Sequence, residues 1–266
     1  MSKCHIYYFS GTGNTKAVCE YYKKYLDARN VNTDLFPIDT VLGVPVISDC
    51  DYIGIAFPVW AWNAPKLVRD FVEKLPNGSA RQKAFVISTC AGMHFKAVKK
   101  IHKLLSDKGF KMTSSRNYVL PSNYTTSGMG KPTPEERIRE QFEAAEQKVI
   151  HTVDEIMAEL DFCDASGSFF GSLITNIMRD GFTNAAKGHA KGYFVNEKCT
   201  DCGLCIKTCP TGNITKKDGV FTFGTNCIAC LRCYNICPVK AIRYRGKEDS
   251  DYRYKAPGYH PPVVNK

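Results

Sequence analysis

The sequence predicts an α/β protein in which a doubly wound, five-stranded parallel sheet precedes a small, cysteine-rich α+β domain. Over the first 160 residues, short apolar runs alternate with stretches of helical periodicity, which is the pattern of a parallel sheet with helices on both faces. Eight of the 13 cysteines lie between Cys199 and Cys237. The second part of the chain therefore has a chemistry of its own.

Strands and helices of the first domain follow each other regularly. Short apolar, β-branched and aromatic runs predict strands at residues 4–9, 32–36, 52–57, 84–89 and 117–120. Apolar residues at helical spacing predict helices between them, at 15–27, 65–75 and 95–108. Five strands with helices between them are enough for a complete doubly wound domain.

A fourth helix has the best-marked start. Thr133 is predicted as its N-cap residue, Pro134 as its first helical residue and Glu136 as the N3 partner of a capping box. Apolar residues then recur on one face as far as Leu160. We therefore expect a long helix to close the α/β domain.

Composition divides the chain into four segments. We expect the α/β domain at residues 1–160, a partly helical connector at 161–192, the cysteine-rich domain at 193–245 and a polar tail at 246–266 that either wraps over the surface or frays. An apolar stripe between residues 169 and 178 lacks the cationic flank of a membrane-surface helix, so we expect it to pack against a neighbouring domain. Residues 183–192 have the composition of a linker.

Neither export nor a membrane span is predicted. The N-terminus is too short and polar for a secretory signal, and no apolar run reaches membrane-spanning length. We therefore expect a cytoplasmic protein. In a reducing compartment, clustered cysteines indicate metal or redox chemistry rather than disulfides.

One cysteine motif occurs twice, as CTDCGLCIKTCP at 199–210 and CIACLRCYNICP at 227–238. Three cysteines at two-residue intervals let one loop wrap three corners of an iron–sulfur cubane, whereas the fourth, followed by proline, lies too far along to close the same cube and ligates the other one. On this rule each cluster takes three cysteines from one motif and one from the other. The sets are Cys199, Cys202, Cys205 and Cys237 for one cluster, and Cys227, Cys230, Cys233 and Cys209 for the other.

Residues 193 to about 245 resemble a bacterial two-cluster ferredoxin, with both motifs complete. The resemblance implies two 4Fe–4S clusters close enough to pass single electrons. Two alternatives remain open at this point. The clusters could serve only to hold a small domain together, or the cysteines could bind zinc, which usually draws two cysteines from each of two turns.

A glycine loop follows the first predicted strand and leads directly into a helix, as FSGTGNT at residues 9–15. Exposed backbone N–H groups at a helix start form an anion site, and the hydroxyls of Ser10, Thr12 and Thr15 add donors. The loop is neither a Walker loop, because no Gly-Lys-Ser/Thr follows, nor the dinucleotide fingerprint, because Lys16 stands in place of its third glycine.

The loop and the strand pattern together resemble the flavodoxin family, whose phosphate loop has the form Thr/Ser-x-Thr-Gly-x-Thr. The resemblance covers residues 3 to about 160. It implies the strand order 2-1-3-4-5 and riboflavin 5′-phosphate (FMN) at the carboxyl ends of the strands. The residues implied to bind the phosphate are Ser10, Gly11, Thr12, Gly13, Asn14 and Thr15.

In that family two further loops hold the isoalloxazine ring of the flavin. Both tryptophans of the chain lie in the first of these loops, and we favour stacking on the flavin over packing in the core for them. The loop after the fourth strand lacks the acidic residue and the stacking tyrosine that are common there, and we expect Asn123 and Tyr124 to replace them. The ring-binding residues implied are Pro58, Val59, Trp60, Ala61, Trp62 and Asn63 in the first loop, and Thr89, Cys90, Ala91 and Gly92 in the second.

The flavin loops are also unusual in charge. Ordinary flavodoxins are strongly acidic, which disfavours added negative charge on the reduced ring, but none of the three loops here contains Asp or Glu. We therefore predict a less negative reduction potential for the fully reduced flavin than in a typical flavodoxin. A redox titration that gives an equally low value would contradict this prediction.

Net charge bears on the class of partner. The formal charge of +10 would suggest an anionic partner such as nucleic acid. However, eight thiolates around two cubane cores of about +2 each would subtract roughly four charges, and a bound phosphate would subtract up to about two more. Because the remaining excess is small and the Lys and Arg residues are dispersed, no nucleic-acid partner is predicted.

The whole chain resembles a flavodoxin–ferredoxin fusion of the kind found in anaerobes. We expect an electron carrier that couples the two-electron chemistry of FMN to the one-electron chemistry of the clusters, with other redox proteins as partners and a dimer compatible with the sequence. One alternative is an FMN-dependent oxidoreductase that reduces a small molecule above Trp60, Trp62 and Tyr124. Another is a basic regulatory or RNA-binding module that uses its clusters as a sensor. No catalytic residue is predicted, because Cys90 and His94 are better explained as a small buried thiol and a half-exposed imidazole.

Overall fold

The computed structural model describes residues 1–60, 63–79, 81–92, 97–124, 126, 132–164, 188–245 and 251–264. The chain divides into two compact units. One comprises Met1–Ser10, Asn14–Pro121 and Pro134–Asn176, and the other comprises Gly11–Gly13, Ser122–Thr133 and Ile177–Lys266. The centre of the glycine loop and the segment after the fifth strand thus belong to the cysteine-rich unit. The apolar stripe at 169–178 and the first half of the linker at 183–192 lie outside the described residues.

The first unit is built on a parallel sheet. Among the residues that the structure describes, the strands pair in the order β2-β1-β3-β4-β5-β6, and each pairing is parallel. The predicted order 2-1-3-4-5 is confirmed, and β6 adds a short strand to the five that the sequence predicts. The strands are β1 (Ser2–Tyr8), β2 (Val31–Pro37), β3 (Tyr52–Pro58), β4 (Lys83–Cys90), β5 (Lys111–Val119) and β6 (Phe162–Cys163).

Helices connect these strands as the periodicity predicts. They are α1 (Asn14–Asp27), a short 3-10 turn (Ile38–Thr40), α2 (Lys66–Lys74), α3 (Ala97–Asp107) and α4 (Glu135–Met157). No helix in the described parts of the chain is long and apolar enough to cross a membrane.

Strand β5 begins well before the predicted start at residue 117. Its first half reads KMTSSR and looks like a polar loop, yet Thr113, Ser114 and Ser115 are buried. Their hydroxyls have partners, since Thr113 Oγ1 donates to the Ala84 carbonyl at 3.2 Å and Ser115 Oγ lies 3.0 Å from His102 Nδ1. A polar strand can be buried when its hydroxyls are hydrogen-bonded, and this hides it from a search for apolar runs.

The start of α4 differs from the prediction. Pro134, with ψ 145°, is the N-cap residue, and no side-chain hydrogen bond caps the helix. Thr133 therefore does not cap α4, and the prediction of a capping box with Glu136 is wrong. Because Pro134 keeps an extended backbone, the helix begins one residue later, at Glu135. The carboxylates of the first turn still interact favourably with the positive end of the helix dipole.

A pair of buried tyrosines joins α1 to the sheet. The hydroxyls of Tyr22 on α1 and Tyr118 on β5 are 2.8 Å apart, and Tyr118 also donates to Thr152 on α4 at 3.2 Å. The ring of Tyr22 stacks on Phe85 of β4 with centroids 5.5 Å apart. Burial raises the pKa of both tyrosines, so their hydroxyls stay neutral. One face of the sheet is thereby fixed to two helices.

A charged network holds β6 at the edge of the sheet. Arg116 of β5 pairs with Glu155 of α4, and its Nη1 donates to Asp164 Oδ1 at 2.9 Å. Lys148 Nζ also donates to Asp164, at 2.9 Å. The side chains of Arg116, Glu155 and Asp164 are only 12%, 23% and 19% exposed. The network is therefore a largely buried one, with the Arg116 guanidinium over the ring of Phe162.

Substituting Arg116 with methionine is expected to lower the free energy of unfolding of the first unit by about 3 kcal/mol, because the largely buried carboxylate of Glu155 loses its cation and that of Asp164 keeps only Lys148. Both tryptophans of the chain lie in this unit, so tryptophan fluorescence during urea unfolding measures the change. The matched control is Arg139→Met at an exposed helical position, expected to stay within about 0.5 kcal/mol of the wild type. Equal losses in the two variants would contradict the role given to the network.

The described part of the second unit contains two small antiparallel sheets. Strand β7 (Tyr193–Val195) pairs with β10 (Ile242–Tyr244), and β8 (Ile214–Lys217) pairs with β9 (Val220–Phe223). Two short helices, α5 (Leu204–Lys207) and α6 (Arg232–Ile236), each lie within one cysteine motif. Tyr193, Leu231, Tyr234 and Ile242 form a small buried core.

The described part of the C-terminal tail, residues 251–264, packs closely onto this unit. Tyr254, Ala256 and Tyr259 are buried. The Ala256 amide donates to the Thr12 carbonyl at 2.8 Å, and the Tyr254 amide donates to Asn235 Oδ1 at 2.8 Å. Within the second unit, the tail therefore covers the centre of the glycine loop.

Candidate cofactor sites

Two separate cavities of the second unit contain the eight cysteines of the repeated motif. Cys199, Cys202, Cys205 and Cys237 line one cavity of about 360 Å³, counting its open side. Cys209, Cys227, Cys230 and Cys233 line the other, of about 390 Å³. Each cavity thus brings together three cysteines of one motif and the fourth cysteine of the other. None of the eight forms a disulfide.

The cysteines of the two cavities differ in exposure to solvent. Cys202 is exposed, whereas Cys230 at the same place in the second motif is buried. We therefore call the first the open cavity and the second the enclosed cavity. Apart from the cysteines, most of the lining is apolar in both, and includes Val195, Leu204, Phe221 and Ile242 in the open cavity, and Tyr193, Ile214, Phe223 and Leu231 in the enclosed one.

Both motifs share the same backbone turn after their first cysteine. Asp201 and Ala229 have φ 60° and 51°, in the left-handed region. Their amides donate to Cys199 Sγ at 3.4 Å and to Cys227 Sγ at 3.3 Å. The fourth cysteines of the two motifs also accept equivalent hydrogen bonds. Each accepts one from the amide four residues further on, Asn213 to Cys209 Sγ at 3.3 Å and Ala241 to Cys237 Sγ at 3.2 Å.

These N–H···S contacts have a chemical consequence. A backbone amide that donates to sulfur stabilises negative charge on it, and hydrogen bonds to the sulfurs are one of the features that set the potential of an iron–sulfur cluster. Burial raises the pKa of Cys230 to about 12 and that of Cys205 to about 11. Without metal these thiols hold their protons at neutral pH, so metal binding has to release them.

The donor sets fit iron–sulfur cubanes. A cubane is held by four thiolates, which each cavity supplies from an apolar wall. Among the described residues, no group of three His, Cys, Asp or Glu side chains is placed to hold a single metal ion. A cubane does not require the cysteines to converge on one ion, because its four irons bind one cysteine each.

Gly203 has a backbone conformation that an L-residue adopts only with strain. It is the N-cap residue of α5, has φ 69°, and a Cβ there would meet only Lys207 Cε, at 3.8 Å. Gly203→Ala is therefore expected to lower the stability of the second unit by about 1–2 kcal/mol through backbone strain alone. Urea unfolding followed by far-UV circular dichroism measures this loss of stability. The unfolding of the second unit is the transition that tryptophan fluorescence does not report, because both tryptophans lie in the first unit.

The control for Gly203→Ala is Gly188→Ala in the same unit. Gly188 has no left-handed φ, and its Cβ would have nothing within 4 Å. We expect this variant to unfold as the wild type does. A loss of the same size at both glycines would show that strain at Gly203 is not the cause.

The glycine loop carries a set of hydrogen-bond donors. The side chains of Ser10, Thr12 and Thr15 are buried, at 2%, 3% and 1% exposure. Helix α1 begins at Asn14, so the backbone amides of its first turn point out of the helix end at this loop. Asn14 Nδ2 donates to the Pro121 carbonyl at 2.8 Å, and the hydroxyls of Thr15 and Thr89 are 2.9 Å apart. A loop with these hydrogen-bond donors and no carboxylate to repel an anion suits a phosphate group.

Gly13 requires glycine for two reasons. Its φ is 108°, and a Cβ would lie 2.6 Å from Cβ of Tyr259 in the C-terminal tail. No side chain could be accommodated without moving the tail. The tail therefore fixes the conformation of the loop within the second unit.

The loop after β3 forms a tight turn. Trp60 and Asn63 exchange two backbone hydrogen bonds of 2.9 Å, and the Val59 amide, next to Pro58, donates to the Thr89 carbonyl at 2.8 Å. The Trp60 ring meets Phe9 edge to face, with centroids 5.6 Å apart. Asn63 is buried, and its Oδ1 accepts a hydrogen bond from the Ala64 amide. Ala61 and Trp62 lie outside the described residues.

The remaining residues predicted to bind the flavin ring follow β4 and β5 in the sequence. Cys90 Sγ donates to the Gly92 carbonyl at 3.1 Å, and burial raises the pKa of this thiol. Ala91 and Gly92 are exposed, whereas His94 is not among the described residues. Asn123 and Tyr124 belong to the second unit, where Asn235 Nδ2 donates to the Asn123 carbonyl at 3.3 Å and the Tyr124 ring lies 5.9 Å from the ring of His189.

Sequence reasoning missed one residue of the enclosed cavity. Arg232 is 1% exposed and lines this cavity with the four cysteines. An arginine between two cysteines of a motif is expected on a surface, because arginine is almost never fully buried. Comparison of the two repeats would have singled it out, since Leu204 stands at the same place in the first motif.

Comparison with known proteins agrees with this division of the chain. Residues 184–246 match a family model described as a 4Fe-4S dicluster domain, which confirms the predicted resemblance of the C-terminal part to a ferredoxin. A search of curated proteins found no match. Together with the strand order of the first unit, which is that of flavodoxin-like sheets, the match supports an electron-transfer flavo-iron–sulfur protein in general terms.

Several solved structures resemble the first part of the chain. Oxidised flavodoxin 1 from Bacillus cereus is 17% identical, covers 60% of this chain and 99% of its own, and gives a TM-score of 0.46. The apo form of NADH:FMN oxidoreductase (EMOB) is 14% identical, with 60% and 90% coverage and a TM-score of 0.44. A flavodoxin from the domain Archaea is 13% identical, with 58% and 99% coverage and a TM-score of 0.40.

Proposed function

We propose that this chain is an electron-transfer protein that passes electrons between FMN and two 4Fe–4S clusters. The observation that carries the proposal is the pair of four-cysteine cavities, each completed by the fourth cysteine of the other motif. When bound, the flavin exchanges electrons singly or in pairs, and each cluster exchanges one at a time. The chain would then connect two-electron donors or acceptors with one-electron ones.

The clusters would be held by the cysteines alone. Those of the open cavity would hold one cluster near solvent, where Cys202 is exposed, and those of the enclosed cavity would hold the other. The amides of Asp201, Ala229, Asn213 and Ala241 would donate to cysteine sulfur in both. Exposure at Cys202 makes the open cavity the expected point of exchange with redox partner proteins.

The flavin would be held through its phosphate first. Ser10, Thr12 and Thr15 would donate their hydroxyls, and the first amides of α1 would face the anion. Trp60 would contact the ring. This donor set favours FMN over riboflavin, because only FMN has a phosphate to accept these hydrogen bonds. We retain residues 1–160 as the FMN domain and 193–245 as the cluster domain.

Flavin reduction by a one-electron donor tests the proposal. In anaerobic stopped-flow experiments, a Cys230→Ser variant is expected to bleach its flavin at least about tenfold more slowly than the wild type, because electrons no longer enter through both clusters. Direct photoreduction of the flavin should be equal in the two proteins. Equal rates with the one-electron donor would contradict the proposed path.

A second experiment distinguishes the carrier from an FMN-dependent oxidoreductase. Pre-reduced protein is mixed with a panel of small electron acceptors and with carrier proteins. A carrier exchanges electrons with several of them without saturation, whereas an enzyme turns over one small molecule with saturation kinetics. Saturable turnover of a single acceptor would replace the proposal with the enzymatic alternative.

A further inference from the structure

The two cysteine motifs have matching backbones but differ in one charge. The first residue of α5 is Leu204 and the first residue of α6 is Arg232, and each lies five residues after the first cysteine of its motif. Leu204 is half-buried and Arg232 is buried. The two cavities are therefore equivalent in their thiols and their amide donors, but only the enclosed one has a guanidinium at this position.

Arg232 is fixed in place by backbone carbonyls of the second unit. Its Nη1 donates to the Thr208 carbonyl at 2.7 Å, and its Nε donates to the Gly11 carbonyl at 3.4 Å. Thr208 directly precedes Cys209, so the guanidinium is bonded to the segment that brings the fourth cysteine into the enclosed cavity. An arginine is always protonated in proteins, and the positive charge is therefore permanent.

The charge of Arg232 acts on the cysteines around it. The guanidinium is buried and bonded to the carbonyl of Thr208, next to Cys209, so its positive charge favours negative charge on the cysteine sulfurs of this cavity. Such an interaction is strong in the interior, where the effective dielectric constant is low and salt screens little. Arg232 also lines the cavity itself.

We propose that Arg232 raises the reduction potential of the cluster held by Cys209, Cys227, Cys230 and Cys233. Reduction adds one electron from the flavin or a redox partner, with no bond made or broken, and so adds one negative charge. The cysteines of this set are more buried than those of the other, which disfavours the added charge, and a buried cation offsets the penalty. Arg232 thereby keeps the enclosed cluster reducible alongside the open one. The inference rests on the proposed function, because it requires both clusters.

The test compares Arg232→Gln with Arg232→Lys in the fully loaded protein. Glutamine can still donate a hydrogen bond to the Thr208 carbonyl but carries no charge, whereas lysine keeps the charge. Redox potentiometry followed by electron paramagnetic resonance measures each cluster. In Arg232→Gln, the equilibrium constant for reduction of the enclosed cluster is expected to fall at least about tenfold, which is a potential about 59 mV more negative. Arg232→Lys should stay within about threefold of the wild type, and the open cluster should not change in either variant.

The potentials of the two clusters decide the outcome. No shift in Arg232→Gln, or an equal shift of both clusters, overturns the role of Arg232. If Arg232→Gln does not retain its iron, Leu204→Arg decides instead, because it places the guanidinium beside the open cluster. That cluster should then become easier to reduce, and an unchanged potential overturns the inference. A wild-type protein with fewer than two clusters would refute the proposed function, which is a separate failure.

Discussion

Substituting Cys209 with serine is expected to remove the cluster of the enclosed cavity, although Cys209 belongs to the first motif. The iron content should fall from about eight to about four per chain, because a serine oxygen is a poor replacement for a thiolate on iron. The cluster of the open cavity should remain, because its cysteines are intact. Iron analysis of anaerobically prepared protein measures the change. Cys163→Ser, outside both motifs, is the control and should keep all of its iron.

Double variants identify which cluster is lost. If Cys209 and Cys230 serve the same cluster, Cys209→Ser combined with Cys230→Ser should still retain about four irons per chain. If Cys209 and Cys202 serve different clusters, the combination of Cys209→Ser with Cys202→Ser should leave almost none. The reverse pattern would show that each motif binds its own cluster, and it would contradict the crossed arrangement.

Substituting Thr12 with valine is expected to weaken FMN binding about tenfold while leaving riboflavin binding unchanged. Valine has nearly the shape of threonine but lacks the hydroxyl, and a hydrogen bond to a charged group contributes about 1.5–3 kcal/mol. Every 1.4 kcal/mol corresponds to about tenfold in affinity. Riboflavin has the same ring without the phosphate, so fluorescence titration with both ligands isolates the phosphate contact.

The control for Thr12→Val is Thr33→Val on β2. Thr33 is also fully buried, and its hydroxyl donates to the Val31 carbonyl at 2.9 Å, far along the chain from the glycine loop. This variant should bind FMN as the wild type does. If Thr12→Val weakened the binding of FMN and riboflavin equally, its hydroxyl would not contact the phosphate, and the loop would have another role.

Much of the first unit could be predicted from the sequence because its central strands are apolar. β1, β3 and β4 are buried on both faces, so they appear as continuous apolar runs between helical stretches, and the resemblance then implied the strand order. The polar first half of β5 escaped prediction because its burial depends on hydroxyl partners on β4 and α3. β6 was not predicted because a strand of two residues shows no periodicity in the sequence. The charged network around Arg116 holds these two residues in place.

The candidate sites were predictable to different degrees. Cysteine spacing alone predicted two crossed sets of four, because three cysteines at two-residue intervals take three corners of one cubane and the fourth, followed by proline, ligates the other. Comparison of the two repeats singles out Arg232, but its burial and the covering of Gly13 by Tyr259 could not be predicted, because both depend on contacts between segments far apart in sequence. The tail looked polar and Pro-rich, yet three of its residues are buried, and no local pattern marks which aromatic residues of a tail will pack.

The cofactor content of the protein, prepared without oxygen, tests its function most directly. Iron, acid-labile sulfide, zinc and flavin are measured per chain, and the flavin is identified after release from the protein. We expect about eight irons, about eight sulfides and about one FMN per chain, with no stoichiometric zinc. Zinc in place of iron, or iron without a flavin, would contradict electron transfer between FMN and two clusters.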